Sequence, residues 1–509
     1  MGGHYENGLY DQLMEVMAKL DAIEAEHKKD RKEVKVLTAE VVSLRKENKN
    51  LREKVSVLQE ENAAFKEKCG HLENECHLLH EDNERLKNIQ NHNSSNTSNP
   101  PSRDQKGGKP ANTYNSRETS GRNKGGQKGH KGSTLTREAV EEKIRSGNCI
   151  HKIKNLGDMS TGKYVTRYVM DLEIAPVVTE VRIYADADGK FHIPEAYRSC
   201  VTYGSCVKSL AVMLYSEGVM ANDRIADFLN AASGDSLGLS DGSIYHFCRD
   251  FSRRAGESIR HLEDEQLAAP VVATDATVVT VNGKTCYIRN FSTDKTVLYT
   301  AMAEKTLKAM EKVLFLKKYA GIFVHDHETA LYHFGIGHGE CNVHLLRYLK
   351  KNTEEAGNSW SGQMSKLLSE MNRERKERAA RGESAFPEDT ISAYEKKYDA
   401  IIAQGYKENE RTRYKYARED EKRLLNRIVK YKKNHLLFLH DFRIPFDDNM
   451  SERDLRKAKN RQKMAGGFRK SSGHEMYCAI LTIIETLKRR KLSMIDNIKQ
   501  LFMGSPAIF

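Results

Sequence analysis

A leucine returns every seventh residue through the first part of the chain: Leu37, Leu44, Leu51 and Leu58, then Phe65, then Leu72, Leu79 and Leu86. Three residues ahead of each stand Val34, Val41, Asn48, Val55, Asn62, Cys69, Cys76 and Asn83. This is an a/d heptad, and valine or asparagine at a with leucine at d is the pairing of two-stranded coiled coils. No proline occurs before Pro100, and Gly70 is the one glycine inside the repeat. The pattern predicts a coiled-coil helix within residues 1–90, with Leu37, Leu44, Leu51, Leu58, Leu72 and Leu79 dimerising two parallel copies. The alternative is a helix folded back on its own chain. A shorter stripe, Leu9 to Ile23, is expected to extend the same helix.

Helical patterning stops near Gln90. Residues 91–135 are rich in Asn, Ser, Gly, Lys and Arg and read as a flexible arm, because so few apolar side chains cannot offset the entropy of ordering. Eight Lys/Arg against two acids give the arm a net charge of +6, which suits phosphate contacts through Arg122, Lys124, Lys128 and Lys131. Residues 136–198 carry two alternating runs, "KYVTRYVMDLEI" and "VVTEVRIYADADGKFHI", and predict a small β-rich module with an Asp-Gly turn. Residues 199–265 read as short helices. Within them, "NDRIADFLN" and "SDGSIYHFCRDF" resemble a helix–turn–helix, with Ser240 capping the second helix.

From residue 266 the period changes. "PVVATDATVVTV" is a β-branched strand with Asp275 at its middle, and Asn282-Gly283 marks a hairpin turn. "TCYIRNFST" and "TVLYTAMA" continue the meander, residues 306–319 read as one helix, and "GIFVHD" is a buried strand ending at Asp326. The order predicts an α/β layer architecture for residues 266–345 and 443–509. Residues 346–442, charged and helical, read as an insertion holding the single tryptophan, Trp360.

Composition narrows the function. The formal net charge of +12 over 509 residues points to an anionic partner, nucleic acid before a membrane surface. No run approaches the ~20 apolar residues of a membrane span, and the N-terminus lacks a secretory pattern. None of the nine cysteines forms a CxxC pair, so a reducing cytosol is expected, with neither a disulfide framework nor a zinc ribbon. Cys341 and His344 form a CxxH pair where a short strand enters a helix, and two ligands do not close a zinc site. A structural or DNA-contact role is expected for them.

The candidate chemistry is carboxylate chemistry. Acids level with one another on adjacent strands can share Mg²⁺, and two such ions can stabilise both oxygens of an in-line phosphoryl displacement. Near the C-terminus, "IPFDDNMSERDLRKAKNRQKMAGGF" offers four acids: Asp447, Asp448, Glu452 and Asp454. Asp447 or Asp448 reads as a helix cap and Asp454 as a surface acid. Glu452 is either a metal ligand or a local partner of Arg456 four residues on. From Arg453 to Lys470, eight Lys/Arg accompany one acid; Arg453, Arg456, Lys459, Arg461 and Lys463 are the candidate DNA contacts.

The series "NSSNTSNPPSRD", "GRNKGGQKGHKG", "ATDATVVTVNGKTCYI", "FVHDHETAL", "HGECNVHLLRYL" and "PFDDNMSERDLRKAKNRQKMAGGFRKSSG", in this order, resembles the transposases of the bacterial insertion sequence 66 family. The resemblance implies an RNase H-like core with an Asp-Asp-Glu triad, Asp275, Asp326 and Glu452, holding two Mg²⁺, with Mn²⁺ able to substitute. It implies cleavage at terminal inverted repeats, joining of 3′-OH ends to target DNA, accessory proteins of the same element, and a place in the bacterial cytoplasm with the nucleoid. The family's cysteine-rich spacing after the arm is reduced here to Cys149, so zinc is not expected. The competing expectation is a non-catalytic DNA-binding dimer derived from a transposase.

Overall fold

A computed structural model describes residues 48–93, 96–97, 135–156 and 159–505, together with residues 14, 16–17, 19–29 and 31–32. Among these residues two compact units form, one within Met1–Tyr114 and His344–Lys433, the other within Asn115–Val343 and Asn434–Phe509. Leu37, Leu44 and the arm cations Arg122, Lys124, Lys128 and Lys131 lie outside the described residues.

In the first unit, α1 (Asn48–Gln90) stops where the heptads stop. Phe65, Leu72, Leu79 and Leu86 form a half-buried stripe along it. The rings of His27 and Phe65 meet edge-on, with centroids 6.0 Å apart. One continuous helix would separate them by about 57 Å, at ~1.5 Å per residue. His27 and Phe65 therefore do not lie on one continuous helix, and part of the Leu9–Ile23 stripe expected to extend α1 lies outside the described residues. An apolar stripe on a lone helix gains by covering itself, and at Phe65 the chain's own earlier helical turns do so.

The second unit begins with α2 (Arg137–Arg145), capped by the Thr136 hydroxyl, which accepts the Ala139 N–H at 3.3 Å. The two strands expected after it are absent among the described residues: only the bridge Ala185–Phe191 forms, around the Asp188-Gly189 turn. Val169 and Val178 are 90% and 95% exposed, and a β-branched run with no neighbouring strand has nothing to pair with. Next come α3 (Ser205–Ser216), α4 (Asn222–Ala232), α5 (Asp241–Arg254) and α6 (Gly256–Leu267). Ser240 caps α5 reciprocally with Ser243. The Asn230 side chain fixes the α4–α5 turn, donating to the Leu239 carbonyl at 2.9 Å and accepting its N–H at 2.8 Å.

The sheet has the order β3-β2-β1-β4-β5. β1 (Val271–Val281), β2 (Lys284–Ser292) and β3 (Val297–Met302) are antiparallel, turning between β1 and β2 at Asn282 and Gly283, whose φ angles are 49° and 73°. The expected helix over 306–319 is two short ones, α7 (Leu307–Met310) and α8 (Leu314–Lys318). The break at Val313 lets Met310, Phe315, Leu316 and Tyr319 all reach the core. β4 (Ile322–His325) lies parallel to β1, and β5 (Gly337–Glu340) parallel to β4.

α9 (Asn342–Ala356) carries the chain into the first unit, where α10 (Trp360–Ala380), α11 (Glu388–Asn409) and α12 (Lys415–Lys430) complete the helical insertion. Its centre is the buried Glu421 carboxylate, which accepts from Trp360 Nε1 and Asn358 Nδ2 at 2.7 Å each, Asn409 Nδ2 at 2.9 Å and the Thr412 hydroxyl at 2.5 Å. The end of α1 is fastened to this insertion: Asn88 Nδ2 donates to the Tyr416 hydroxyl at 2.7 Å, and His92 meets Glu355 at 2.6 Å.

α13 (Lys432–His440), α14 (Asn449–Asp454), α15 (Arg456–Ala465), α16 (Ser471–Arg489) and α17 (Met494–Phe502) finish the second unit. α16 is apolar almost all round and buries Ile480, Leu481, Ile483, Ile484 and Leu487. Its Thr482 and Thr486 hydroxyls accept the Tyr299 and Val297 N–H groups at 3.0 and 3.2 Å, which covers the open edge of β3. After α15 the Phe468 N–H donates to the Thr280 carbonyl at 2.7 Å, extending the sheet by one bridge. Gly467 makes this approach with φ +125°, and a Cβ there would collide with the Thr280 carbonyl oxygen. Gly467→Ala is expected to lower stability by about 1–3 kcal/mol; an unchanged urea midpoint for that variant would contradict the close approach.

Candidate active site

β1 and β4 run in register as Val271–Ile322, Val272–Phe323 and Ala273–Val324. Two residues further on, the same register sets Asp275 level with Asp326, just past the end of β4. The main chain alone therefore brings the two acids to one level of adjoining strands. Burial first, and then the like charge of Asp326, push the Asp275 carboxyl up from 3.8 to about 6. The charges of Lys305 and Lys459 act in the opposite sense. Asp275 Oδ1 accepts the Ala276 N–H at 2.6 Å.

Glu452 arrives on α14, and a buried asparagine on β2 anchors that helix. Asn290 pairs with Asp275 across β1–β2, and its Oδ1 accepts the Asp275 N–H at 3.0 Å and the Ser451 hydroxyl at 2.7 Å. Its Nδ2 donates to the Ser451 carbonyl at 3.0 Å and to Ser292 at 3.1 Å. The other side of Glu452 is pinned at Asp454, which accepts from Ser292 at 2.6 Å and pairs with Arg489 at 2.5 Å. Asp454 is thus a buried structural acid and not the surface acid expected.

Asp448 also differs from expectation. It precedes α14, yet its side chain makes no capping hydrogen bond; Asp447 accepts the Asn449 N–H at 3.1 Å instead. The Asp448 carboxylate is 1% exposed, and neither oxygen meets a hydrogen-bond donor among the described residues. Burial raises its pKa well above 3.8, and the charges of Asp275, Asp326, Glu452 and Asp447 raise it further. Its backbone N–H donates to Cys341 Sγ at 3.2 Å, which gives that buried cysteine a structural part. His344 lies 3.4 Å from Arg347.

Beside Asp326, buried Arg289 reaches both oxygens of Glu328 at 2.6 Å and donates to Thr274 at 3.1 Å. Lys305 stands 3.6 Å from the same carboxylate. Next to it, Glu340 receives His327 at 2.7 Å and the Tyr332 hydroxyl. His325 is held down to about 3, by burial and then by the charge of His338, and is neutral at ordinary pH.

Residues 204–476, just over half the chain and including all of these acids, match the family model described as transposase IS66 family. The chain belongs to the IS66 transposase family. No curated protein matches it. Membership makes this IS66 transposase a DNA-processing enzyme of an insertion sequence, and no helix among the described residues is long and apolar enough to cross a membrane.

Among the described residues no group of three or more His, Cys, Asp and Glu stands in position to hold a metal ion. The chemistry of the donors nonetheless fits a hard divalent cation: carboxylate oxygens only, two of them buried on Asp448 without a donor. Of the basic candidates in the transposase, Arg453, Arg456 and Lys463 are exposed and Lys459 is half-buried. Arg461 turns inward, over the rings of Tyr215 at 4.4 Å and Tyr477 at 5.8 Å, and donates to the Met220 carbonyl. It packs within the core, against two aromatic faces and a carbonyl, where the sequence placed it among the exposed basic residues.

Sequence reasoning passed over Asn290, Arg289, Lys305 and the burial of Asp448. The signal for the first two was visible in β2, where "RN" interrupts an apolar strand. A folded-state carboxyl raised from 3.8 to about 6 binds more protons than its unfolded counterpart between those values, so its contribution to stability falls as pH rises across that window. In EDTA, stability from melts at pH 4 to 7 should therefore fall with rising pH, and Asp275→Asn should flatten the fall. An equal slope in the variant would remove Asp275 as its source.

Proposed function

We propose that this IS66 transposase cuts DNA at the ends of its insertion sequence and joins the 3′-OH ends to target DNA, with Asp275, Asp326 and Glu452 as its catalytic, cation-holding carboxylates. The observation that carries the reading is the register that sets Asp275 and Asp326 level on parallel strands, with the helix of Glu452 bonded to the Asp275 strand through Asn290. The sheet order, three antiparallel strands followed by two parallel ones, supports an RNase H-like core over 266–345 and 443–509, interrupted by the helical insertion.

When bound, Mg²⁺ or Mn²⁺ supplies charge stabilisation to an in-line displacement at phosphorus. The chain's own groups do the rest. Asp275, Asp326 and Glu452 present hard oxygens and form no covalent link to DNA. Lys305 and Lys459, whose charges already bear on Asp275, offset phosphate charge near it, while Arg453, Arg456 and Lys463 track the backbone further out. Arg289 holds Glu328, and with it the turn after Asp326. The α4–α5 pair and the basic arm bind element ends. Leu72 and Leu79, half-buried on α1, pair it with a second copy in a homodimer that can grow on DNA and recruit accessory proteins of the element.

Asp275→Asn is expected to abolish Mg²⁺-dependent cleavage of terminal-repeat DNA while leaving end binding intact, as read by gel shift. Cleavage that survives the substitution would sink the assignment.

A further inference from the structure

Asp448 stands apart from every other buried acid in the second unit. Asp454 has Ser292 and Arg489, and Glu340 has His327 and Tyr332. Asp448 is equally enclosed, at 1% exposure, and both its oxygens lack a hydrogen-bond donor among the described residues. A carboxylate in that position costs several kcal/mol unless something compensates it, which is why buried acids are paired or coordinate metals. Capping of α14 does not explain it, because Asp447 accepts the Asn449 N–H instead. Asp275, Asp326, Glu452 and Asp447 lie near enough for their charges to bear on it. Both Asp448 oxygens are therefore open to a cation shared with these neighbouring acids.

We infer that Asp448 is a fourth carboxylate of the divalent-cation site, facing the cation together with Asp275, Asp326 and Glu452. The inference rests on the proposed carboxylate site and deepens it. The main chain suits the role. Cys341 Sγ accepts the Asp448 N–H, and the Phe446 carbonyl accepts the Asn342 N–H at 3.0 Å, so the segment before α14 is anchored beside the end of β5. Asp448 is thereby delivered by a backbone fixed independently of its side chain. A fourth hard oxygen donor suits Mg²⁺ or Mn²⁺ better than a softer thiophilic ion.

The test uses the full-length protein and Mn²⁺ alone, with binding followed by water-proton relaxation and stability by thermal melts. Wild type, Asp275→Asn and Asp448→Asn are compared. In EDTA, Asp448→Asn should leave the melting temperature no lower, since an amide is neutral where a carboxylate would be buried without a partner. With Mn²⁺, the same variant should lose the metal-induced rise in melting temperature, and its Mn²⁺ affinity should fall at least about tenfold, the scale on which even outer partners of metal ligands act. Asp448→Ala, which keeps no oxygen at all, should repeat the affinity loss if the asparagine variant packs poorly. Wild-type affinity in both Asp448 variants, with affinity lost in Asp275→Asn, would overturn the fourth carboxylate and leave the three-acid site standing. Wild-type affinity in Asp275→Asn as well would overturn both.

Discussion

Like charges brought close and partly out of water repel, and the second unit is organised around bearing that repulsion. Asp275 and Asp326 are set level by strand register, and Asp448 is enclosed nearby without a donor. Each carboxylate would be more comfortable in water. What holds them is peripheral: Asn290 spans β1, β2 and α14 with four hydrogen bonds, and the Asp454–Arg489 pair closes the far side of the helix. At about 0.5–1.5 kcal/mol net each, such bonds are modest singly, but leaving any of these buried groups unpaired would cost more than the bond contributes. The network therefore resists loosening even where the acids push outward.

The same logic separates the basic residues of the C-terminal segment. Arg453, Arg456 and Lys463 remain in solvent, Lys459 is half-buried with its charge bearing on Asp275, and Arg461 lies against the rings of Tyr215 and Tyr477. A run that looks uniform in sequence is divided by the helical period of α15, which turns one position in three or four toward the core.

Legibility followed the range of the interactions. Local patterns were readable: the end of α1 near Gln90, the Ser240 cap, the Asn282-Gly283 hairpin, the strand bearing Asp275 and the strand leading into Asp326. Features that depend on distant partners were not. Asn290 meets Ser451, 161 residues away, and nothing near either residue announces the pair. Asp454 looks exposed until Arg489 is folded against it. Strand-like alternation in residues 163–193 predicted a module that lacks a partner edge, and heptad spacing alone could not tell one continuous helix from an arrangement in which His27 and Phe65 meet. The role proposed for Glu452 came from the ordered series of motifs, because its local chemistry left it one candidate among four.

The helical insertion lies between Asp326 and Glu452 along the chain, and this sets an order in time. Asp326 and Glu452 are separated by 126 positions, most of them in the insertion. At roughly 5–20 residues per second of synthesis, Glu452 follows Asp326 off the ribosome by about 6–25 seconds. During that interval the sheet carries two acids and none of the helix that Asn290 will anchor. A nascent chain or one ended before Glu452 thus holds only part of the proposed set of carboxylates, and on that reading any cutting of DNA waits until Glu452 has been made.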